Sequence, residues 1–294
     1  MIAELPEYGC ELDGYYFGTP DLSPFLVQDI SYDQGDIITN DTPNPRADGM
    51  RFGRDFHGGQ IITFKITGLD SPGPDQMAAY SELRAAWRAS AVRAQSGQVC
   101  TLRMGRAGRT RRVYGRPRRF SPTLGEDSMG NTFVTCDFQA VDGVFYGDGE
   151  LSNTLTITPP APGGFLFPAT FPWGSVGISY APGVVKIKGD EPAWMVFMIR
   201  GPITRPKIRV VGHWSIGLNL ILQAGEWVGI DARPWSRGIR TNTGANLGGT
   251  LLPGSPSLSQ VKLPPDTYEI VLTGQDETGT ASFTTAWRET WVSP

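Results

Sequence analysis

The sequence predicts a mainly β protein, and three observations carry that prediction. There are 37 glycines and 24 prolines among 294 residues, a density that helix interiors reject and turns between short strands use. Apolar and polar residues alternate over many short runs, the period of a half-buried strand. Only one segment has a helical period. The length fits two domains of ordinary size.

The first domain is expected over residues 1–158. Phe25-Leu26-Val27-Gln28-Asp29-Ile30-Ser31-Tyr32 is rich in strand formers and ends at a Gly35 turn. Asn40 to Asp48 holds Pro43 and Pro45 among Asn, Asp and Thr, which predicts an exposed loop. Gly59 to Thr67 alternates, with Ile62, Phe64 and Ile66 on one face. Asp75 to Gln95 predicts a helix, with Asp75 as N-cap, Gly97 as the stop, and Met77, Tyr80, Leu83, Trp87 and Ala91 along one stripe. Such a helix packs on a sheet. Gln98 to Met104 and Arg111 to Arg118 flank Gly105 and Gly108 as a hairpin, Asn131 to Val141 alternates again, and Leu151 to Thr158 adds a strand.

Residues 159–173 read PPAPGGFLFPATFPW. No regular element survives that proline density, so 159–182 is expected to be a linker, with Phe165, Phe167, Phe171 and Trp173 as aromatic anchors. Residues 183–294 then carry short strands at regular spacing, expected at 184–188, 194–200, 206–211, 215–222, 226–231, 236–241, 267–273 and 280–291. Such spacing without a helix marks a β-sandwich or jelly roll.

Composition removes several function classes. A net charge of −3 argues against a globally basic nucleic-acid binder. Met1 to Glu7 has neither the basic nor the apolar region of a signal peptide, and no apolar run reaches the length of a membrane span. Cys10, Cys100 and Cys136 lie far apart without zinc spacing and are expected to be reduced, packed side chains. Nucleotide, serine-hydrolase and zinc-protease motifs are missing, and Gly244 to Gly249 has no strand-loop-helix context for a phosphate. The acids between Asp142 and Glu150 do not fit a calcium loop. His57, in Arg54-Asp55-Phe56-His57-Gly58-Gly59, is expected to be a hydrogen-bonded loop histidine rather than a general base. No cofactor is implied.

One charge feature stands out. Arg103, Arg106, Arg109, Arg111, Arg112, Arg116, Arg118 and Arg119 fall in a stretch without an acid. Phosphate contact is one reading. A solvated hairpin, or one facing acidic surface on a neighbouring subunit, fits the balanced overall charge better. Arg106, Arg109, Arg111, Arg112 and Arg116 are the candidate interface residues.

Two blocks of motifs then belong together. The first is PFLVQDISYDQG, RDFHGG, GQIITFKITG, SELRAAWRA, the arginine hairpin and VTCDFQAVDGVFYGD. The second is GDEPAWMVFMIRGPITRPKIRVV, LQAGEWVGIDARPWSRGI, LLPGS and ASFTTAWRETWV. In this order, over nearly the whole chain, they resemble the distal tail proteins, or minor tail proteins, of siphophages, especially those of actinobacteria. The resemblance implies a belt domain, a β-barrel-like sheet with one helix, followed by a galectin-like β-sandwich. It further implies a homo-hexameric ring at the virion tail tip, made in the host cytoplasm and without catalytic residues. That ring would join the tail tube to the hub, the end of the tape measure and other tip proteins, with DNA passing through its lumen unbound. Short belt strands with exposed edges also gain by pairing with copies of themselves.

The alternative is a carbohydrate-binding module that holds host-wall glycans on the carboxy-terminal sandwich. Trp194, Trp214, Trp227, Trp235, Trp287 and Trp291 offer stacking faces, with Trp214 and Trp235 the candidates. A hydrolase working through two carboxylates would need no local motif and ranks third.

Overall fold

A computed structural model describes residues 4–33, 35, 37–68, 74–123, 132–156, 179–276 and 278–294. The chain divides into two units, Met1–Asp148 with Trp291–Pro294, and Gly149–Thr290. The described residues are mostly strand, as expected.

The first unit runs β1 (Cys10–Leu12), β2 (Tyr15–Phe17), β3 (Phe25–Asp33), the short strands β4 (Ile37–Ile38), β5 (Thr42–Pro43), β6 (Met50–Arg51) and β7 (Phe56–His57), then β8 (Ile61–Gly68), α1 (Pro74–Arg88), α2 (Ser90–Arg93), β9 (Cys100–Arg106), β10 (Arg109–Thr123), β11 (Phe133–Ala140) and β12 (Phe145–Gly147). The main sheet is ordered β2-β1-β9-β10-β11-β8-β3. It curls until its edges meet at Gly18, whose N–H donates to the Phe25 carbonyl at 2.8 Å while Val27 N–H donates to the Gly18 carbonyl at 3.0 Å. Gly18 is required there: its φ is +109°, and a Cβ would lie 2.1 Å from the Tyr8 carbonyl oxygen.

The alternation in β8 and β11 holds. Ile62, Phe64 and Ile66 point inward together with Val134, Cys136, Phe138 and Ala140. Their neighbours from α1 are Leu83 and Trp87. Trp87 packs edge-on against Phe17 at 6.0 Å and Phe64 at 5.9 Å between ring centroids, geometry that adds about 1 kcal/mol per pair beyond area burial. Its indole N–H donates to the Asp137 carbonyl at 3.2 Å, tying the helix to the sheet.

The helix departs from expectation in two ways. It stops at Arg88, because Ala89 adopts a left-handed conformation (φ 42°, ψ 48°) before the short α2. That turn brings Arg93 within 2.6 Å of the Pro117 carbonyl. The expected stripe also shortens: Tyr80, Leu83 and Trp87 face the sheet, while Met77 and Ala91 are exposed. The backbone begins at Pro74, and the expected capping side chain of Asp75 lies outside the described residues.

Asn40 to Asp48 is exposed as expected, but it is more than a loop. β4 pairs with β7 (Ile37 opposite His57, Ile38 opposite Phe56), and β5 pairs with β6 (Thr42 opposite Arg51, Pro43 opposite Met50). Gly53 N–H donates to Asp41 Oδ1 at 2.9 Å, and Asn40 Nδ2 to the Arg54 carbonyl at 3.3 Å. These contacts build a two-stranded arm between β3 and β8.

The second unit contains β13 (Leu151–Thr156), β14 (Ser179–Ile187), β15 (Ala193–Arg200), β16 (Ile203–Val210), β17 (Ser215–Gly217), β18 (Ile221–Leu222), β19 (Trp227–Asp231), β20 (Gly238–Thr241), β21 (Lys262–Leu263), β22 (Asp266–Gln275) and β23 (Ser282–Trp287), and the division between the units falls within β24 (Thr290–Trp291). One sheet is ordered β13-β23-β15-β19-β20 with β21 on β15. The other is ordered β14-β22-β16-β17 with β18 on β16. Met195, Phe197, Ile199 and Phe283 from the first sheet meet Ile208, Ile270 and Leu272 from the second in one core. Phe197 stacks on Phe283 at 5.7 Å. The unit is thus a two-sheet sandwich, as the strand spacing predicts.

The expected boundaries need correction. The units divide at Asp148 and Gly149, not at residue 158. Leu151–Thr156 hydrogen-bonds along Ser282–Trp287, with Leu151 opposite Trp287, and so belongs to the sandwich. The expected linker 159–182 overlaps β14, which begins at Ser179. Its proposed anchors Phe165, Phe167, Phe171 and Trp173 lie outside the described residues. The terminal strand expected over 280–291 splits, and Trp291–Pro294 belongs to the first unit.

Candidate functional site

The arginine hairpin is the β9–β10 pair. Its turn, Ala107-Gly108, has φ values of 51° and 69°, the doubly left-handed turn that matches strand twist. Arg109 lies opposite Arg106, and Arg112 opposite Arg103.

Most of these cations are satisfied within the unit. Arg103 is buried beside Glu11, its register partner on β1, and forms an ion pair with it. Its Nε donates to Asp148 Oδ1 at 2.8 Å and its Nη2 to Asp148 Oδ2 at 2.7 Å. Arg112 Nε and Nη2 reach the same Asp148 Oδ1 at 3.0 and 2.5 Å. Burial pushes the Asp148 carboxyl up, but the hydrogen bonds and charges of Arg103 and Arg112 outweigh it and hold the group below its ordinary value. Two arginines and two carboxylates therefore form a neutral cluster, with Arg103 and Glu11 buried and Arg112 and Asp148 partly exposed.

Four of the five candidate interface residues have partners inside the unit. Arg112 is committed to Asp148. Arg111 is buried, with its guanidinium 4.1 Å from the centre of the Trp291 ring. Arg116 donates through Nε to the Gln98 carbonyl at 2.7 Å and through Nη2 to the Gln95 carbonyl at 2.6 Å. Arg106 lies over Tyr8 at 5.1 Å. Of the five, Arg109 alone is exposed at the hairpin tip, and Arg118 and Arg119 are exposed farther along β10.

Arg118 belongs to a second feature that the sequence did not reveal. A groove of about 930 Å³ runs between α1 and the far end of β10, lined by Met77, Tyr80, Arg84, Arg88, Arg118 and Phe120 among others. Among the described residues no carboxylate lines it. Arg84, Arg88 and Arg118 are exposed and form no ion pair with a described residue. Met77, at 64% exposure, is the stripe residue that sits on this groove instead of in the core.

The tryptophan candidates are placed differently from a glycan platform. Trp214 is partly buried, packed against the sandwich core with its ring edge-on to Phe197 at 5.9 Å. Trp235 is half-buried, with the Arg233 guanidinium 5.9 Å from its centre. Trp287 is buried.

Cys10, Cys100 and Cys136 are free and buried, and burial pushes their thiols up, Cys100 to about 12. His57 is exposed on β7, and no hydrogen bond joins its imidazole to another described residue, which corrects the loop-histidine expectation. His213 packs edge-on against Tyr268 at 4.9 Å. Asp142 accepts from the Tyr146 hydroxyl at 2.5 Å. Among the described residues no group of three or more His, Cys, Asp or Glu gathers as for a metal, and no helix is long and apolar enough to cross a membrane.

The architecture as a whole matches solved structures. SPP1 Dit, a paradigm of the hub adsorption apparatus in phages infecting Gram-positive bacteria, superposes over 96% of this chain and 98% of its own, with a TM-score of 0.59 and 13% identity. The chain has the fold of a siphophage distal tail protein. The phage P2 baseplate in its activated conformation, with Ca and with Sr, covers 92% of this chain and 98% of the baseplate chains. The TM-score is 0.48 for both, at 10% and 11% identity. No protein-family profile and no curated protein matches the sequence. The distal tail fold is therefore read from the path of the chain, while the actinobacterial subtype rests on the sequence motifs alone.

Proposed function

We propose that the chain is the distal tail protein of a siphophage, a structural virion protein. Its first unit assembles into a ring at the tail tip, which joins the tail tube to the hub and receptor-binding proteins and leaves a lumen for DNA. Six copies is the number the sequence resemblance implies. The observation that carries this reading is coverage: the likeness to SPP1 Dit extends over 96% of the chain, so it includes both units in the same order. A fold alone does not fix a function. Here the surface supports the same conclusion, because the first unit displays an apolar arm that a solitary domain has no use for.

The glycan-binding alternative is weaker, because Trp214 is engaged with the sandwich core. Gold-labelled antibody against the chain, applied to intact virions, tests the proposal. Label at the distal end of the tail supports it. Label on the capsid, or none on tails that contain the chain, contradicts it.

A further inference from the structure

The arm and the arginine groove are both unsatisfied surfaces of the same unit. On the arm, Ile37, Ile38, Met50, Phe52 and Phe56 are exposed, Phe52 by 81%. Pairings of two residues each cannot hold such a ribbon in water without a partner. In the groove, the apolar side chains of Met77, Tyr80 and Phe120 share the lining with Arg84, Arg88 and Arg118, and the Tyr80 and Phe120 rings lie 6.0 Å apart.

The two surfaces are chemically matched. Arginine stacks on aromatic faces as well as pairing with carboxylates. The arm offers Phe52 and Phe56 beside the exposed Asp48 and Asp55. It also carries Arg46, Arg51 and Arg54, and Arg54 already lies over Phe56 at 5.3 Å. The match is therefore apolar and aromatic first, and ionic second.

They also lie at different points along one strand. The arm leaves the sheet where Asp33 pairs with Ile61, at the start of β8. The groove lies toward the other end. Its Phe120 and Pro122 pair with Cys136 and Val134, which in turn pair with Phe64 and Ile66, and α1 follows from Gly68. That register sets Phe120 and Pro122 level with Phe64 and Ile66, three and five residues along β8 from Ile61, about 10 and 17 Å. A donor at one point and an acceptor at another make a head-to-tail contact, the kind that generates rings. A foreign partner, or duplex DNA in the groove, would leave the arm uncovered.

We propose that the arm of one copy seats in the α1–β10 groove of the next, with Phe52 against Met77, Tyr80 and Phe120 and beside the arginines. This deepens the ring reading and rests on it.

Site-directed disulfide trapping tests the contact in the full chain, where the native thiols are buried. The double variant Phe52→Cys/Ser81→Cys is expected to give a ladder of cross-linked copies on mild oxidation. Phe52→Cys/Ser257→Cys, with its second thiol on the sandwich, is expected to give none. Phe52→Asp and, separately, Arg84→Glu/Arg118→Glu are expected to weaken self-association at least tenfold while the monomer stays folded by circular dichroism. Oligomers that persist in both variants without a ladder overturn the arm–groove contact and leave the ring standing. A chain that is monomeric at every concentration, with no ladder, overturns the contact and the ring with it. Duplex DNA retained by the wild type and released by Arg84→Glu/Arg118→Glu, again without a ladder, assigns the groove to nucleic acid and overturns the proposal.

Discussion

Arg103 holds Asp148 in a two-point grip, Nε to Oδ1 at 2.8 Å and Nη2 to Oδ2 at 2.7 Å. Asp148 is the last residue of the first unit before the chain enters the sandwich. The ion pair thus fixes the end of the belt sheet to β9, with Glu11 behind it on β1 and Arg112 beside it on β10. Removing Asp148 leaves Arg103 with Glu11 alone and takes the carboxylate from Arg112, so the cluster carries an uncompensated positive charge.

Asp148→Asn is therefore expected to destabilise the first unit by about 3 kcal/mol at neutral pH. The wild type should also lose stability in acid. A carboxyl held below its unfolded value of about 3.9 contributes fully above that value and loses its contribution as pH falls through the folded value. Urea midpoints measured from pH 7 to pH 3 should fall steeply for the wild type and less steeply for Asp148→Asn. Parallel slopes would contradict the assignment.

Trp291 belongs to the first unit and covers the Arg111 guanidinium at 4.1 Å. Trp291→Ala is expected to destabilise that unit by about 2 kcal/mol, with the second unit's melting unchanged. Calorimetry of the full chain separates the two transitions, and a loss confined to the second unit would contradict the placement.

Gly18 closes the sheet with φ at +109° and no room for a Cβ against the Tyr8 carbonyl. Gly18→Ala is expected to lose about 2 kcal/mol, whereas Gly14→Ala, with nothing within 4 Å of its Cβ position, should lose less. Equal losses would place the cost in the left-handed conformation alone.

All three thiols are buried and raised. The folded chain is expected to resist alkylation by iodoacetamide at pH 8, because the thiolate is the reactive form. Mass spectrometry should find three adducts only after unfolding in denaturant. Rapid labelling of any cysteine in the native chain would contradict its burial.

What the sequence made legible follows from what periodicity can carry. Ile62, Phe64 and Ile66 alternate because β8 has one wet face and one dry face, so inward residues can be read two at a time. The sandwich was readable from strand spacing for the same reason. The arginine cluster was visible as charge, but its meaning lay in partners far along the chain: Glu11 and Asp148 meet Arg103 only once β1, β9 and the end of the unit are side by side. The break at Ala89 was hidden because alanine is the best helix former and signals nothing. The arm was hidden because its strands are two residues long and apolar on the outside, the reverse of the pattern that reveals a strand.

The central claim is that copies of this chain close into a ring. The most direct measurement is light scattering across a sizing column at rising protein concentration, with negative-stain images of the leading peak. The account predicts a mass of several protomers and ring-shaped particles with a central hole. A monomeric mass at every concentration, with no rings in the images, would contradict it.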